Sequence, residues 1–158
     1  NTTVMALKGS GNSRVSAKES IAVDVIDEIA ELFKVDVSII NKENKFSYNK
    51  VLAKSDVKVR IMYLTEDDRI NTIEKNIPLM GFVDIPGVSD NDICITKYNL
   101  RNMIVTPNSK DEHSIYFDID YDIQSEIFEE RNVKIVKDLY SVKDEVSFNT
   151  KSVKIMKK

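Results

Sequence analysis

The chain has 158 residues, 42% of them hydrophobic, which suits one domain with a substantial core and is too short for two independent domains. Its 23 Lys and Arg residues are outnumbered by 26 Asp and Glu residues, and the net charge of -3 argues against a nucleic-acid partner. Cys94 is the single cysteine, which excludes an intramolecular disulfide and a zinc site with paired thiolates and favours a reducing compartment.

The sequence contains no targeting or membrane-spanning signal. No apolar run approaches the ~20 residues that a transmembrane helix requires. The polar start, Asn1 to Thr3, lacks the basic and then apolar pattern of a signal peptide. Because the chain begins without methionine, we expect it to be a piece cut from a longer protein.

The N-terminal third predicts a flexible segment followed by a helix. Residues 1–17 are expected to be flexible because the small polar residues at 9–13 show no apolar period. An amphipathic helix is predicted over about Asp24–Lys34, with Asp24 as its N-cap and Asp27 as a first-turn acid. The apolar residues with this helical spacing are Ile21, Ala22, Val25, Ile26, Ile29, Leu32 and Phe33.

Beyond the helix the hydrophobic period changes to two, which predicts strands. The predicted strands are 35–39, 46–48, 57–63, 70–77, 80–87, 93–105 and 114–128, with shorter candidates at 133–136, 146–148 and 153–156. The polar cluster Thr65–Arg69 predicts a hairpin loop, and Pro107–Ser109 predicts a turn. Pro78 and Pro86 confine the strand between them to an edge or a corner. Since most strands alternate apolar and polar residues, the prediction is a mostly β, antiparallel β-sandwich-like domain with one N-terminal amphipathic helix.

An acidic repeat is the sharpest local pattern that could bind a metal. Asp118, Asp120 and Asp122 occupy carboxylate positions of an EF-hand calcium loop, and Glu129 completes them. Ile123 stands where that loop needs glycine, and side chains two apart on a strand are ~6.6–6.8 Å from one another, too far to share one calcium ion. We therefore predict a solvated acidic strand face and no metal site. The basic side chains expected to offset this charge are Lys134 and Lys137.

The remaining reactive residue types do not form a recognisable catalytic or cofactor motif. His113 is the single histidine and is expected in an exposed turn. Cys94 lies between isoleucines in an apolar strand, where cysteine usually acts as a small buried hydrophobe. Gly9 and Gly11 are not followed by the Gly-Lys-Ser or Gly-Lys-Thr of a phosphate-binding loop. The sequence thus predicts no catalytic residue, no metal ligand and no cofactor.

Several short phrases, taken in order, resemble a known family. The phrases are Leu32–Val37 with Asn41–Glu43, Tyr48–Leu52 with Val57–Leu64, Ile77–Leu79 with Phe82–Gly87, and Val136 with Asp138–Ser141. They are similar to the SPOCS domain of spore-coat morphogenesis proteins of the SipL type. On this resemblance, the SPOCS-like β domain extends over 18–142, and 143–158 is an extension that forms a strand or a linker to a following domain.

The resemblance implies a role in the mother cell of a spore former, at the forespore surface, in the assembly of coat proteins. It implies other spore-coat morphogenesis proteins as partners, and contact with the ATPase of the coat's basement layer through a LysM domain outside this chain. It implies no catalytic residues. Self-association into a homo-oligomer is a further candidate.

The function predicted is therefore a non-catalytic interaction or scaffold module that offers strand edges and one-sided sheets to partners. Tyr63, Phe82 and Tyr140 are the candidate interaction residues, although Tyr140 also fits a strand-end tyrosine with a buried ring. The alternative is a carbohydrate- or envelope-binding β domain. Its groove would be lined by Tyr48, Tyr63, Tyr98 or Tyr116. A third hypothesis, an enzyme, requires a pocket in which acidic residues converge with His113.

Overall fold

A computed structural model describes residues 2–133, which form six long strands in two antiparallel sheets. The strands are β1 (Thr2–Ala22), β2 (Ile29–Ser47), β3 (Lys50–Thr65), β4 (Ile70–Asp84), β5 (Ile93–Pro107) and β6 (Ser114–Val133). One sheet has the order β1-β6-β5 and the other the order β2-β3-β4. The prediction of a mostly β fold with two antiparallel sheets is confirmed.

The hydrophobic core lies between the two sheets and is built by strict alternation along the central strands. On β3, Val57, Val59 and Ile61 point inward and are almost completely buried, whereas Lys58 and Arg60 point outward. The facing residues of β6 are Phe117, Ile119, Ile123 and Ile127. Because each sheet buries one face only, each also has an outer face that is open to solvent.

The predicted helix over Asp24–Lys34 is wrong, because no residue from 2 to 133 is helical. Residues 23–28 form the loop between β1 and β2, and strand β2 begins at Ile29. Asp24 does cap a turn, since its Oδ1 accepts a hydrogen bond from the backbone N of Ile26 at 3.2 Å. The helical spacing was coincidental, because Val25 lies exposed on the loop while Ile29 starts a strand paired with β3.

The flexible segment predicted at residues 9–13 is also wrong, because these residues continue strand β1 and pair with β6. The glycines permit a close approach of β1 to β4. A Cβ atom on Gly11 would lie 2.6 Å from the backbone O of Asp84, and one on Gly81 would overlap Cγ1 of Val15. Glycine in a strand often marks such an approach.

The other strand predictions in the described part are confirmed, with longer elements than expected. Residues 70–77 and 80–84 belong to the single strand β4, in which Pro78 is tolerated because β4 is an edge of its sheet, whereas residues 85–87 of the predicted strand lie in the turn after it. The predicted hairpin loop Thr65–Arg69 connects β3 to β4. The candidates at 146–148 and 153–156 and most of 133–136 lie outside the described residues. Among residues 2–133 there is no helix of the length and apolarity that a membrane crossing requires.

Candidate functional site: an apolar patch on the outer face of the β2–β3–β4 sheet

Four apolar side chains lie together on the outer face of the β2–β3–β4 sheet. Leu52 on β3 is directly opposite Phe82 on β4, and Lys54 and Asp56 are opposite Met80 and Pro78 in the same register. Phe82 is 54% exposed and Met80 is 61% exposed, and Leu52 is half-buried. We call Leu52, Pro78, Met80 and Phe82 the β3–β4 patch. A contiguous exposed apolar surface of this kind commonly marks a site of protein interaction.

Lysine side chains border the β3–β4 patch. Lys50 Nζ lies 5.4 Å from the centre of the Phe82 ring, within the range of a cation–π interaction. Lys45 on β2 is paired in register with Leu52, and its Nζ is 3.8 Å from a carboxylate oxygen of Glu43. Lys54 lies in the middle of the same face. Acidic side chains share this face, since Glu43 is opposite Lys54, Asp84 is opposite Lys50 and Asp56 is opposite Pro78, so the patch is surrounded by charges of both signs.

A shallow depression of about 360 Å³ opens beside Pro78 and Met80. It forms where β2 departs from regular pairing, since the register of β2 with β3 shifts between Ile40 and Glu43. Asn41, in that irregular stretch, has a φ of 54°, a left-handed conformation that asparagine tolerates better than most residues. Such bulges reorient side chains at the edge of a sheet, and here the bulge leaves room next to the patch.

The contrast with the outer face of the β1–β6–β5 sheet supports this choice of site. There the central strand presents Asp118, Asp120 and Asp122, which confirms the prediction of an acidic strand face. Asp122 is paired with Arg101 at 3.0 Å and with Arg14 at 3.6 Å. The expected basic partners Lys134 and Lys137 lie outside the described residues. Across residues 2–133, no group of three or more His, Cys, Asp or Glu side chains could hold a metal ion.

A second concentration of polar groups lies at one end of the sandwich and is a structural network. The buried carboxylate of Asp27 accepts a hydrogen bond from the Tyr63 hydroxyl at 2.6 Å and one from Asn71 Nδ2 at 2.8 Å. Arg69 Nη2 lies 2.9 Å from the other carboxylate oxygen of Asp27, and His113 Nδ1 is 2.8 Å from the backbone O of Asp27. Asp27 therefore holds together the β1–β2 loop, the β3–β4 turn and the β5–β6 loop.

These contacts shift the pKa values of Asp27, Tyr63 and His113. The hydrogen bond from Tyr63 is the main reason why the pKa of Asp27 is lowered, and Asn71 and Arg69 act in the same direction. Burial, followed by the nearby Asp27 carboxylate, raises the pKa of Tyr63 to about 12. The hydrogen bond to the backbone of Asp27 raises the pKa of His113, and the neighbouring acids add to it. One carboxylate oxygen of Asp27 accepts the hydrogen bonds from Tyr63 and Asn71, and the other is ion-paired with Arg69. This network therefore has the structural role of connecting the loops.

The structure separates the residues that the sequence singled out. Phe82 is exposed in the β3–β4 patch, whereas Tyr63 is buried with 3% exposure and does not offer its ring to a partner. Tyr140 lies outside the described residues. Cys94 is half-buried on β5, and burial raises the pKa of its thiol, which disfavours the reactive thiolate. His113 lies in the expected turn, but its ring is tied to Asp27.

The four tyrosines proposed to line a sugar-binding groove do not come together. Tyr48 is 86% exposed on the β2–β3 turn, and Tyr63 is in the core. Tyr116 is on the outer face of the other sheet, and Tyr98 packs edge to face on Tyr121, with ring centres 6.2 Å apart. The depression beside the patch is lined by polar and aliphatic groups and contains no aromatic ring.

A comparison with protein families matches residues 28–108 to the SipL, SPOCS domain family, a little more than half of the chain. The chain belongs to this family. The matched span starts one residue before β2 and ends one residue after β5, so the SPOCS match contains the whole β2–β3–β4 sheet and the β3–β4 patch. Membership in the SPOCS family associates the chain with sporulation. Neither curated proteins nor solved structures gave a match.

The SPOCS phrases Tyr48–Leu52 and Phe82–Gly87 meet at one end of this sheet. The side-chain oxygen of Asn49 accepts a hydrogen bond from the backbone N of Gly87 at 3.0 Å, and its backbone O accepts one from Ile85. Both residues adopt positive φ, 56° for Asn49 and 79° for Gly87. Their residue types therefore fit tight turns, and these turns fix the end of β4 that carries Phe82.

Proposed function

We propose that this chain is a non-catalytic protein-interaction module of a spore-coat morphogenesis protein, which supports the assembly of coat proteins around the forespore. Its partners are other spore-coat morphogenesis proteins, and it acts on the mother-cell side of the forespore surface. Contact with the ATPase of the coat's basement layer is made through a LysM domain outside this chain. The family membership supports the sporulation context of this proposal.

The observation that carries the proposal is the exposed β3–β4 patch. Phe82 and Met80 expose more than half of their surface on strand β4, beside charged side chains that can add electrostatic complementarity. Aromatic and methionine side chains are enriched at protein interfaces, and an apolar centre with a polar rim is the usual anatomy of such a surface. In contrast, the ionisable groups that the structure gathers around Asp27 are bonded to one another.

The test is the substitution Phe82→Glu in the full-length protein of a sporulating cell. A charge in place of the Phe82 ring disfavours the burial of the β3–β4 patch against any partner. Because the side chain is exposed, the fold is expected to lose little stability. We expect fluorescently labelled coat proteins to fail to encircle the forespore, while the variant itself is produced at normal levels.

Ile104→Glu is the matched control. Ile104 is also an exposed apolar residue in a strand, at 42% exposure, but it lies on the outer face of the β1–β6–β5 sheet. The control is expected to leave coat assembly normal. Normal coat assembly with Phe82→Glu, or an equal defect with Ile104→Glu, would contradict the assignment of the β3–β4 patch as the contact surface.

A further inference from the structure

The two long sides of the sandwich close differently. Along one side, β1 and β4 come together at Gly11 and Gly81, and inward-facing residues such as Val15 and Leu79 are buried. Along the other side lie the free edges of β2 and β5. That second side therefore depends on contacts between two edge strands that belong to different sheets.

Strands β2 and β5 are joined near both ends of this side. The hydroxyl of Thr96 on β5 donates to Oδ1 of Asn44 on β2 at 3.0 Å. At the opposite end, the backbone N of Ile29 donates to the backbone O of Glu112, in the loop after β5, at 3.1 Å. The stretch between these two hydrogen bonds is the part of the side that needs explanation.

The inward-facing residues of β2 and β5 in this stretch are only partly buried. Each is paired with an almost completely buried residue of the central strand beside it, as Leu100 with 48% exposure is paired with Tyr121 at 4%. Apolar side chains in such a position gain stability from an apolar segment that covers them. We call these residues the β2–β5 opening: Leu32, Val35, Val37 and Ile39 on β2, and Tyr98, Leu100, Met103 and Val105 on β5.

The chain that follows β6 is long enough to reach the opening. It continues for 25 residues beyond Val133. Tyr98 and Val105 are paired with Ile123 and Phe117, so the opening lies about 34–54 Å back along β6 from Val133, at the rise of a regular strand. If the chain reverses direction over about four residues and then runs extended, residues 147–153 lie level with the opening.

The sequence of this stretch suits an apolar opening. Val146 and Phe148 are two residues apart, so in an extended chain they point to the same side, with Ser147 on the opposite side. The same spacing places Phe148 level with Leu100 and Val153 level with Val105. The stretch thus offers apolar side chains at the level where the fold leaves apolar side chains partly covered.

The charges agree with this direction. Three loops, 23–28, 66–69 and 108–113, meet at the end of the opening that Leu32 and Val105 occupy, and they hold eight acidic residues against Arg69 and Lys110. All of these acids except Asp27 are exposed. Residues 146–158 contain four lysines and no acid, and three of the lysines follow Val153. A segment that runs from Val133 toward this end therefore brings its lysines to the acidic loops.

We propose that residues 146–156 of the same chain dock in the β2–β5 opening, with Phe148 against Leu100 and the last lysines beside the acidic loops. The segment then covers the side of the sandwich that β2 and β5 leave partly open. This inference is independent of the proposed function, because the opening and the β3–β4 patch are different surfaces.

The test uses the 158-residue chain with Phe148→Trp. The natural sequence contains no tryptophan, so the indole is a single reporter of the surroundings of position 148. We expect its emission in buffer to be blue-shifted relative to the emission in urea, and the shift to be independent of protein concentration. An emission typical of a solvent-exposed indole overturns the proposal. A blue shift that grows with concentration also overturns it, because a second copy would then supply the segment.

Variants of the opening locate the segment. In the Phe148→Trp chain, Leu100→Asp is expected to expose the indole, because the segment would have to bury a charge. Two matched controls, Ile104→Asp on the outer face of β5 and Met80→Asp in the β3–β4 patch, should leave the emission unchanged. Exposure of the indole by Met80→Asp would place the segment on the patch and overturn the proposal, as would a Leu100→Asp chain with unchanged emission.

A second pair of variants alters the segment itself, so that the fold of residues 2–133 is not at risk. Val146→Asp is expected to expose the indole, whereas Ser147→Asp, on the opposite side of an extended chain, should not. Equal effects of the two substitutions would contradict docking through one side of the segment. The cooperative urea transition of each chain shows that the domain is folded.

The charge reversals test the direction of the segment. Lys154→Glu with Lys157→Glu is expected to shift the indole emission toward that of the exposed state, because the reversed charges meet the acidic loops. Lys134→Glu with Lys137→Glu reverses the same number of charges near Val133 and should leave the emission as it is. An equal effect of the two pairs, or no effect of the first, overturns the assigned direction.

Discussion

At the residue scale, Tyr63 and Asp27 form a buried polar contact, with relative exposures of 3% and 2%. The Tyr63 hydroxyl donates to the Asp27 carboxylate at 2.6 Å and is the main cause of its lowered pKa. A carboxyl with a lowered pKa stabilises the fold above its unfolded pKa of about 3.9, and this stabilisation is lost as the pH falls through the folded pKa.

We predict that Tyr63→Phe lowers the free energy of unfolding at neutral pH, because the carboxylate loses a buried donor. The difference from the wild-type chain should shrink as the pH falls from about 3.9 through the lowered folded pKa of Asp27, because the protonated carboxyl no longer gains from the extra donor. Urea unfolding at neutral and acidic pH measures this. Tyr48→Phe, at an 86% exposed position, is the control and should change nothing at either pH. A pH-independent loss would show that packing is the cause.

His113 gives the opposite dependence on pH. Its pKa is raised because Nδ1 donates to the backbone O of Asp27 and because Glu112 and Asp111 are near. A histidine with a raised pKa stabilises the fold fully below its unfolded pKa of about 6.5, and this contribution is lost as the pH rises through the folded pKa. We predict that the free energy of unfolding of the wild-type chain falls over that interval relative to His113→Gln, which retains a donor but does not titrate. Parallel urea curves for the two chains across the interval would contradict this.

At the scale of elements, the crossing of β1 and β4 depends on glycine. A Cβ at position 81 would overlap Cγ1 of Val15, which is itself buried. We predict that Gly81→Ala destabilises the domain by about 1–3 kcal/mol, the usual effect of inserting a methyl group into a packed site. Denaturant unfolding measures the change, and Thr72→Ala, exposed on the same strand, should stay within about 0.5 kcal/mol of the wild-type chain. An unchanged Gly81→Ala would mean that β1 and β4 can separate at this point.

The strands from β3 onward were predictable because their alternation is local and strong, as in Val57, Val59 and Ile61. The first thirty-odd residues were not, because local patterns there are overridden by pairing with distant strands. The run from Ile21 to Phe33 has helical spacing, yet its ends pair with β6 and β3. Gly9 and Gly11 predict a loop from the sequence alone. The close approach of these residues to β4, which requires glycine, is visible only in the three-dimensional structure.

At the scale of the whole molecule, the sequence predicts part of the candidate site. It misses the rest because those contacts depend on the pairing of segments that are distant in the chain. Phe82 was identified from the family phrase that contains it, but the sequence does not show that Leu52 lies opposite Phe82 across the β3–β4 pair. The available signal for the patch was an apolar residue at an outward-facing position of a strand whose other outward-facing residues are polar. The network at Asp27 was not predictable from the sequence, because it joins three loops that are distant in the chain.

The domain boundary drawn at residue 18 leads to the last prediction. Residues 2–17 pair with β6 over most of its length and contribute Val4, Ala6 and Val15 to the buried residues. We predict that a chain lacking residues 1–17 does not fold cooperatively, because β6 gains an unpaired edge and the core beside β4 becomes exposed. Binding of a hydrophobic dye and loss of a cooperative urea transition are the measurements.

Adding the missing strand as a separate peptide shows whether the effect is specific. A peptide of residues 1–17 should restore the cooperative transition, because its pairing with β6 and its contact with β4 do not depend on the covalent link to Lys18. The same peptide with Val15→Asp should not, since it would bury a charge against Gly81. A truncated chain that unfolds like the full one would instead assign residues 1–17 to a dispensable arm and leave the fold to the region 18–133.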